Sequence, residues 1–241
     1  EFMVRANETV AESYYWLELP FIYRVHEEPK PAKVAELNTF LGAFGLRIKA
    51  KSDDIHPKSF QAVLEKVDGR REQRLIHRVL LRSMMRARYS PECLGHFGLA
   101  LKYYCHFTAP IRRYPDLAIH RIIKENLRKK HVSEGRRAEL AAFVDRAATN
   151  ASAREQVATE AERTVVDIKK TEFMLGKEGE IYDAIISGVT NFGFFAELDN
   201  TVEGLVHVSS LDDDYYEYDE DTYSLIGKQT KRRFRLGDLV R

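Results

Sequence analysis

Residues 95–116 read GHFGLALKYYCHFTAPIRRYPD, an apolar, strand-like run feeding a Thr-Ala-Pro-Ile turn that delivers two arginines, a tyrosine and an aspartate to the mouth of a helix. Pro110 lacks a backbone donor and disfavours helix at Ala109, while Pro115 pre-sets φ for a first helical turn. Arg112 and Arg113 are therefore predicted on a rigid connector rather than on a solvated helix face. A guanidinium offers five donors in a planar fork and stays charged, which suits a phosphodiester. Asp116 reads as a first-turn carboxylate favoured by the helix dipole, or as the partner that orients one of the two arginines, in preference to a metal ligand.

Working outward, Met3, Ala6 or Asn7, Val10, Tyr14 and Leu17 recur at helical spacing, predicting an amphipathic helix over 2–18 that stops at Pro20. A second helix is predicted from Pro31 to Phe44, closed by Gly45, and a third from Pro57 with Phe60, Val63, Leu64 and Val67 inward and Gly69 at its end. Arg70, Arg74, Arg78, Arg82 and Arg86 recur every four residues beside Leu75, Val79, Leu80 and Met84, a basic stripe that either tracks phosphate or is simply solvated. Residues 95–108 are predicted as strand and 115–130 as a helix burying Leu117, Ile119, Ile122, Ile123 and Leu127. From 134 to about 173 a proline-free apolar stripe predicts one long or two consecutive helices. After Leu175 the pattern turns to short alternating strands between Gly and Asn turns, a small β-barrel signature, with the acidic 212–221 stretch as a loop.

The chain has 241 residues, enough for one large or two modest cores. With 38 Lys+Arg against 37 Asp+Glu, nucleic-acid binding rests on local clustering and not on overall charge. Two cysteines, no signal peptide and no apolar run approaching the ~20 residues of a membrane span predict a reduced, soluble compartment, the cytoplasm.

GHFGLAL at 95–101 and HFTAPIRRYPDLAIHR at 106–121 resemble the RNB catalytic domain of the ribonuclease II / ribonuclease R family, closer to its ribonuclease R branch. The similarity extends to EFMVRANETVA at the start, YRVHEEP at 23–29, LLRSM at 80–84, and GEIYDAIISGVTNFGFFAELD with EGLVHVSSLDDDYY further on. Ala109 stands where a serine is common, and Cys93 where an asparagine is expected. The resemblance implies an α+β chain: the C-terminal half of an RNB domain over 1–174, mostly helical with a few strands, then an S-one-type OB-fold over 175–241. That five-stranded barrel is expected to be incomplete, stopping before its last strand and leaving an edge unpaired.

The implied activity is that of a processive 3′→5′ exoribonuclease, monomeric when intact, which hydrolyses single-stranded RNA to nucleoside 5′-monophosphates with two Mg²⁺ ions. Those ions call for clustered carboxylates, expected upstream of Glu1, so no metal ligand is assigned in this chain, which is expected to be inactive alone. By resemblance Arg112 contacts the scissile phosphate and Glu162 faces the 3′-terminal nucleotide, although Glu160, Glu162 and Arg163 also read as solvated helix-surface pairs. Glu1, Asn7, Tyr23, Arg24 and His26 fall in stretches similar to the family's substrate channel, with Phe107, Arg113 and Tyr114 beside them. Tyr23, Phe107 and Tyr114 offer faces for stacking bases, while core packing explains Phe107 and amide satisfaction explains Asn7 equally well. In the β module, Phe192, Phe195 and His207 match the nucleic-acid face, Phe194 is expected inward, and Lys228, Lys231, Arg232, Arg233 and Arg235 form a phosphate-tracking run or a solvated edge. Two other readings stand: a non-catalytic RNA-binding module, and a zinc site on Cys93, His96, Cys105 and His106, whose spacing departs from paired ligand knuckles.

Overall fold

The computed structural model describes residues 1–42, 44–49, 55–70, 73–129, 132–220 and 222–241. In chain order the elements are α1 (Phe2–Trp16), β1 (Tyr23–Val25), α2 (Pro31–Gly42), α3 (Pro57–Val67), α4 (Gln73–Ser83), β2 (Arg88–Ser90), α5 (Tyr114–Lys129) and α6 (Glu134–Met174). There follow β3 (Ala184–Thr190), β4 (Gly193–Leu198), β5 (Glu203–His207), β6 (Tyr216–Asp219), β7 (Ser224–Gly227), β8 (Arg233–Arg235) and β9 (Leu239–Val240). The chain divides into two compact units, one of residues 1–29, 55–57 and 84–163, the other of the described residues of 30–54, 58–83 and 164–241.

In the first unit α1 buries Asn7, Ala11 and Tyr14, one face at the expected spacing. Ala11 and Tyr14 join Phe21, Ile22 and Val25 around β1, Ala118, Ile119 and Ile122 from α5, and Leu140, Val144 and Ala147 from α6 in an apolar core. β1 pairs antiparallel with β2, Arg24 opposite Tyr89. The strand predicted over 95–108 is absent. Residues 97–99 form one 3-10 turn closed by Ala100 at φ 53°, and the stretch touches β1 only through isolated bridges and single bonds such as Arg24 N–H to Tyr104 O at 2.9 Å. Burial explains this: Phe97 is buried while Leu99 and Ala100 are exposed, so the apolar run never sustains a two-residue alternation. From Glu134 the proline-free stretch is one 41-residue helix.

In the second unit Gly45 closes α2 as expected: at φ 68° it donates to Gly42 O, and Leu46 donates to Leu41 O, a Schellman arrangement. α3 buries Phe60, Val63 and Val67. The arginine stripe does not run as an open face. Arg78 donates to Ser187 O and lies 3.6 Å from Glu197 and 3.9 Å from Glu203, Arg82 is exposed, and Arg86 falls outside α4. The Arg74 and Leu75 side chains lie outside the described residues, as do Lys130 and Asp221.

The β module has two antiparallel sheets, β5-β4-β3-β9 and β6-β7-β8, around Ile186, Val189, Phe194, Tyr216, Leu225 and Phe234. Phe194 is inward, stacked on Phe234 at 4.9 Å. β9 covers β3 at Ala184 and Ile185, and β5 has no strand on its outer edge among the described residues. The acidic loop predicted over 212–221 contains strand β6, because Tyr216 and Tyr218 alternate with the acids and Tyr216 is buried.

Candidate nucleic-acid interface

The connector before α5 is built as a tight turn. Ala109 O accepts from Arg112 N–H at 3.3 Å and Arg113 N–H at 3.1 Å, with Pro110 inside the turn where no donor is needed. Asp116, wholly buried, anchors it: Oδ1 accepts from Ala109 N–H at 2.8 Å and from Arg113 Nη2 and Nε at 2.8 and 3.2 Å. Asp116 thus orients Arg113. Arg112 is exposed, and its side chain has no polar partner among the described residues. Tyr114, the first residue of α5, is 47% exposed beside it.

The upstream candidates are placed inward. Asn7 is engaged on both sides of its amide, which donates to Tyr104 Oη at 3.2 Å and accepts from Phe107 N–H at 3.0 Å, while its backbone carbonyl accepts from Cys105 Sγ. Tyr23 is buried, and burial raises its hydroxyl's pKa. Phe107 is half-buried and stacks on His120 at 4.4 Å, and its carbonyl lies 2.9 Å from His120 Nε2. His26 accepts from Gly98 N–H at Nδ1, so Nε2 carries the proton and donates to Met85 O at 2.8 Å. A Cβ on Gly98 would stand 2.8 Å from that Nδ1, which accounts for the glycine.

A polar network unforeseen in the candidate set lies between β1, β2 and α6. Arg24 pairs with Glu155 at 2.6 Å and sits 4.7 Å over the Tyr89 ring, whose hydroxyl meets His106 Nδ1 at 2.9 Å. Burial first, then the charges of Arg113 and Arg24, depresses His106 to about 3; burial and the neighbouring His26 take His96 to about 4. Both imidazoles are neutral at pH 7. Arg24 had a sequence signal through YRVHEEP and His106 through HFTAPIRRYPDLAIHR; Glu155, seven residues before Glu162, carried none. Glu162 itself is exposed on α6.

The zinc donors do not converge. Cys105 Sγ donates to Asn7 O, Cys93 Sγ to Lys102 O and His106 faces Tyr89, and among the described residues no three His, Cys, Asp or Glu side chains form a metal-holding group. The described side chains therefore offer no cluster that fits a Mg²⁺ ion.

In the β module the register sets Gly193 opposite His207 and Phe195 opposite Leu205, so Phe195 and His207 share a sheet face. Phe192, 44% exposed, meets Phe195 edge-on at 6.5 Å. A Cβ on Gly193 would stand 2.2 Å from Val206 O, so only glycine permits this approach of β4 to β5. Arg232 is held apart on the other sheet, 2.9 Å from Asp213 and 4.8 Å over the Phe234 ring. A concavity of about 1210 Å³ in this unit is lined by residues such as Phe194, Ala196, Val206 and Phe234, not by Phe192, Phe195 or His207.

The RNB domain matches residues 1–129 and the S1 RNA binding domain residues 176–233. Ribonuclease R of Thermotoga maritima is 46% identical over 243 residues, covering all of this chain and 34% of that protein. Ribonuclease R of Escherichia coli K12 is 39% identical over 247 residues, covering all of this chain and 30% of that protein. The chain thus spans about a third of the length of the curated relatives it matches. Among solved structures, Mycoplasma genitalium RNase R in complex with ribose-methylated single-stranded RNA superposes at TM-score 0.88 with 28% identity over 99% of this chain and 38% of that one. Yeast Ssd1, a pseudonuclease, superposes at 0.66 with 25% identity over 93% of this chain and 28% of that one.

Proposed function

The chain belongs to the RNB domain family, and we propose on that footing that it forms the arginine-bearing part of a 3′→5′ exoribonuclease acting on single-stranded RNA. The observation that carries this is the locked connector: Asp116 takes up Arg113 and leaves Arg112 exposed and uncommitted at the start of α5. In this reading Arg112 donates to the phosphoryl oxygens of the scissile linkage, where charge grows during attack by water, and Arg113 holds the turn that aims it. Tyr114 offers a face to a neighbouring base, and the Phe192–Phe195–His207 face of the β module grips RNA farther along. Asn7, Tyr23, His26 and Phe107 act by shaping the wall behind Arg112, and Glu162 meets the terminal nucleotide. We assign residues 1–174 to the hydrolytic domain and 175–241 to RNA binding, with Arg232 on the latter's rim. Mg²⁺ would supply Lewis-acid chemistry from ligands other than the side chains described here, the products being nucleoside 5′-monophosphates. The protein works as a cytoplasmic monomer; among the described residues no helix is long and apolar enough to cross a membrane.

The test is a chimera in which this chain replaces the matching segment of Escherichia coli ribonuclease R. The folded chimera releases 5′-mononucleotides from oligouridylate, and its R112A variant is slower by ~10²–10³-fold, the cost of one preorganised donor. A folded chimera that binds RNA without releasing product sinks the hydrolytic reading. That outcome would favour the second one, a non-catalytic RNA-binding module, which the similarity to the pseudonuclease Ssd1 supports. The chain alone is expected to bind RNA and release nothing.

A further inference from the structure

Helix α5 carries a charge pattern the connector does not use. Tyr114, Arg121 and Arg128 recur every seven residues, and Lys124 lies between the last two, all four exposed. A seven-residue repeat drifts only ~20° per step, so they make one stripe along the helix. At its far end a groove of about 660 Å³ is lined by Arg121, Lys124, Glu125, Arg128, Lys129 and Arg136.

Among the described residues the acid in the groove, Glu125, is already committed. Glu125 accepts from Arg136 Nε and Nη2 at 2.9 and 3.0 Å and from Lys129 Nζ at 2.9 Å, and Arg136 Nη1 turns to Glu139 at 2.7 Å. Arg136 is thereby a strut between α5 and α6. Arg121, Lys124 and Arg128 have no acidic partner among the described residues, although they stand three and four residues apart, a like-charge spacing that weakens a helix. A polyanion laid along the stripe removes that repulsion.

We propose that Arg121, Lys124 and Arg128 form a phosphate track along α5, which continues the path of a single RNA strand from Arg112 past Tyr114 into the α5–α6 groove. The proposal rests on the RNA-binding reading above and adds a second contact region to it. Tyr114 and Arg128 are fourteen residues apart, ~21 Å along the helix, or about six nucleotides of a stacked strand at ~3.4 Å each. A short RNA held at Arg112 therefore does not reach the far end of the track, and a long one does.

The experiment measures binding of fluorescein-labelled oligouridylates of 5 and 20 nucleotides to the 241-residue chain, by anisotropy across a salt series. The variants are R121E/K124E/R128E and the milder R121Q/K124Q/R128Q, each checked for an unchanged circular-dichroism spectrum. The wild type is expected to bind the 20-mer more tightly than the 5-mer. Neutralising three contacts lowers the 20-mer's slope of log K against log salt by about 2, at ~0.7 per phosphate, and lowers the 5-mer's by less, because five nucleotides span ~17 Å and stop short of Arg128. If the 20-mer's slope and affinity survive in both variants, or if the wild type binds the two lengths alike, the track is overturned while the RNA-binding reading stands. If the wild type binds neither length, that reading falls and the track with it. A decaglutamate peptide that binds the stripe while RNA does not would assign it to an acidic protein partner and overturn the proposal.

Discussion

Asp116 holds Arg113 through a single oxygen: Oδ1 lies 2.8 Å from Nη2 and 3.2 Å from Nε of the guanidinium, and the same atom accepts the Ala109 N–H at 2.8 Å. A wholly buried carboxylate thereby ties together the turn, the second arginine and the first turn of α5, where its charge also meets the positive end of the helix dipole. The adjacent arginines have divided the work. One side chain fixes the geometry, and the other is presented by it.

That division predicts opposite phenotypes for neighbouring residues. Asp116→Ala strands the half-buried Arg113 guanidinium and the Ala109 N–H, and should cost ~3 kcal/mol, in the range for breaking a buried ion pair by removing one partner. Arg112→Ala removes an exposed side chain and should move stability by no more than ~0.5 kcal/mol while weakening RNA binding. Urea unfolding followed by circular dichroism, paired with RNA anisotropy, reads both. Equal stability losses in the two variants would show that Arg112 is structural as well.

The two depressed histidines set an acid limit. His106 at about 3 and His96 at about 4 are neutral in the folded chain, whereas an unfolded imidazole titrates near 6.5. Between pH 6.5 and 4 the unfolded chain binds more protons than the folded one, so stability rises with pH across that window and is lost as pH falls through it. From pH 7 to 5 the loss should be on the order of 1 kcal/mol per histidine, discounted because each ring keeps some solvent contact. His106→Gln, which can still meet the Tyr89 hydroxyl, should flatten the dependence. Imidazole proton shifts that already titrate near pH 6.5 in the folded chain would contradict the burial argument.

What the sequence disclosed and what it hid follow from the range of the interactions. α1, α2 and α3 were legible because periodicity, Pro31, Pro57, Gly45 and Gly69 are local signals, and the structure keeps each in its expected role. The strand expected at 95–108 failed because its apolar residues serve a 3-10 turn and the His26 contacts, neither of which has a two-residue period. β6 was concealed by its acids. Phe192, Phe195 and His207 lie together because one hairpin brings them to one face, whereas Arg232 belongs with the other sheet and stands apart. Pairs such as Arg24 with Glu155, 131 residues away, carry no local pattern that could announce them.

Arg78 offers a sharper test of a long-range pair. Glu197 on β4 and Glu203 on β5 are directly opposite in the register, a like-charge pairing that destabilises a sheet, and Arg78 lies between them at 3.6 and 3.9 Å while also donating to Ser187 O. Arg78→Ala should therefore cost about 1 kcal/mol, since these partly exposed pairs are individually weak and the uncovered repulsion adds to their loss. The decisive quantity is the sign of a second change. Glu203→Gln should be mildly destabilising when Arg78 is present, because it removes an attraction, and neutral or stabilising in the R78A background, because there it relieves the repulsion from Glu197 while its amide oxygen can still accept from Ser187 Oγ. A double-mutant cycle by chemical denaturation measures this coupling directly. If Glu203→Gln has the same effect in both backgrounds, Arg78 does not act by balancing the glutamate pair, and its contribution reduces to the hydrogen bond with Ser187.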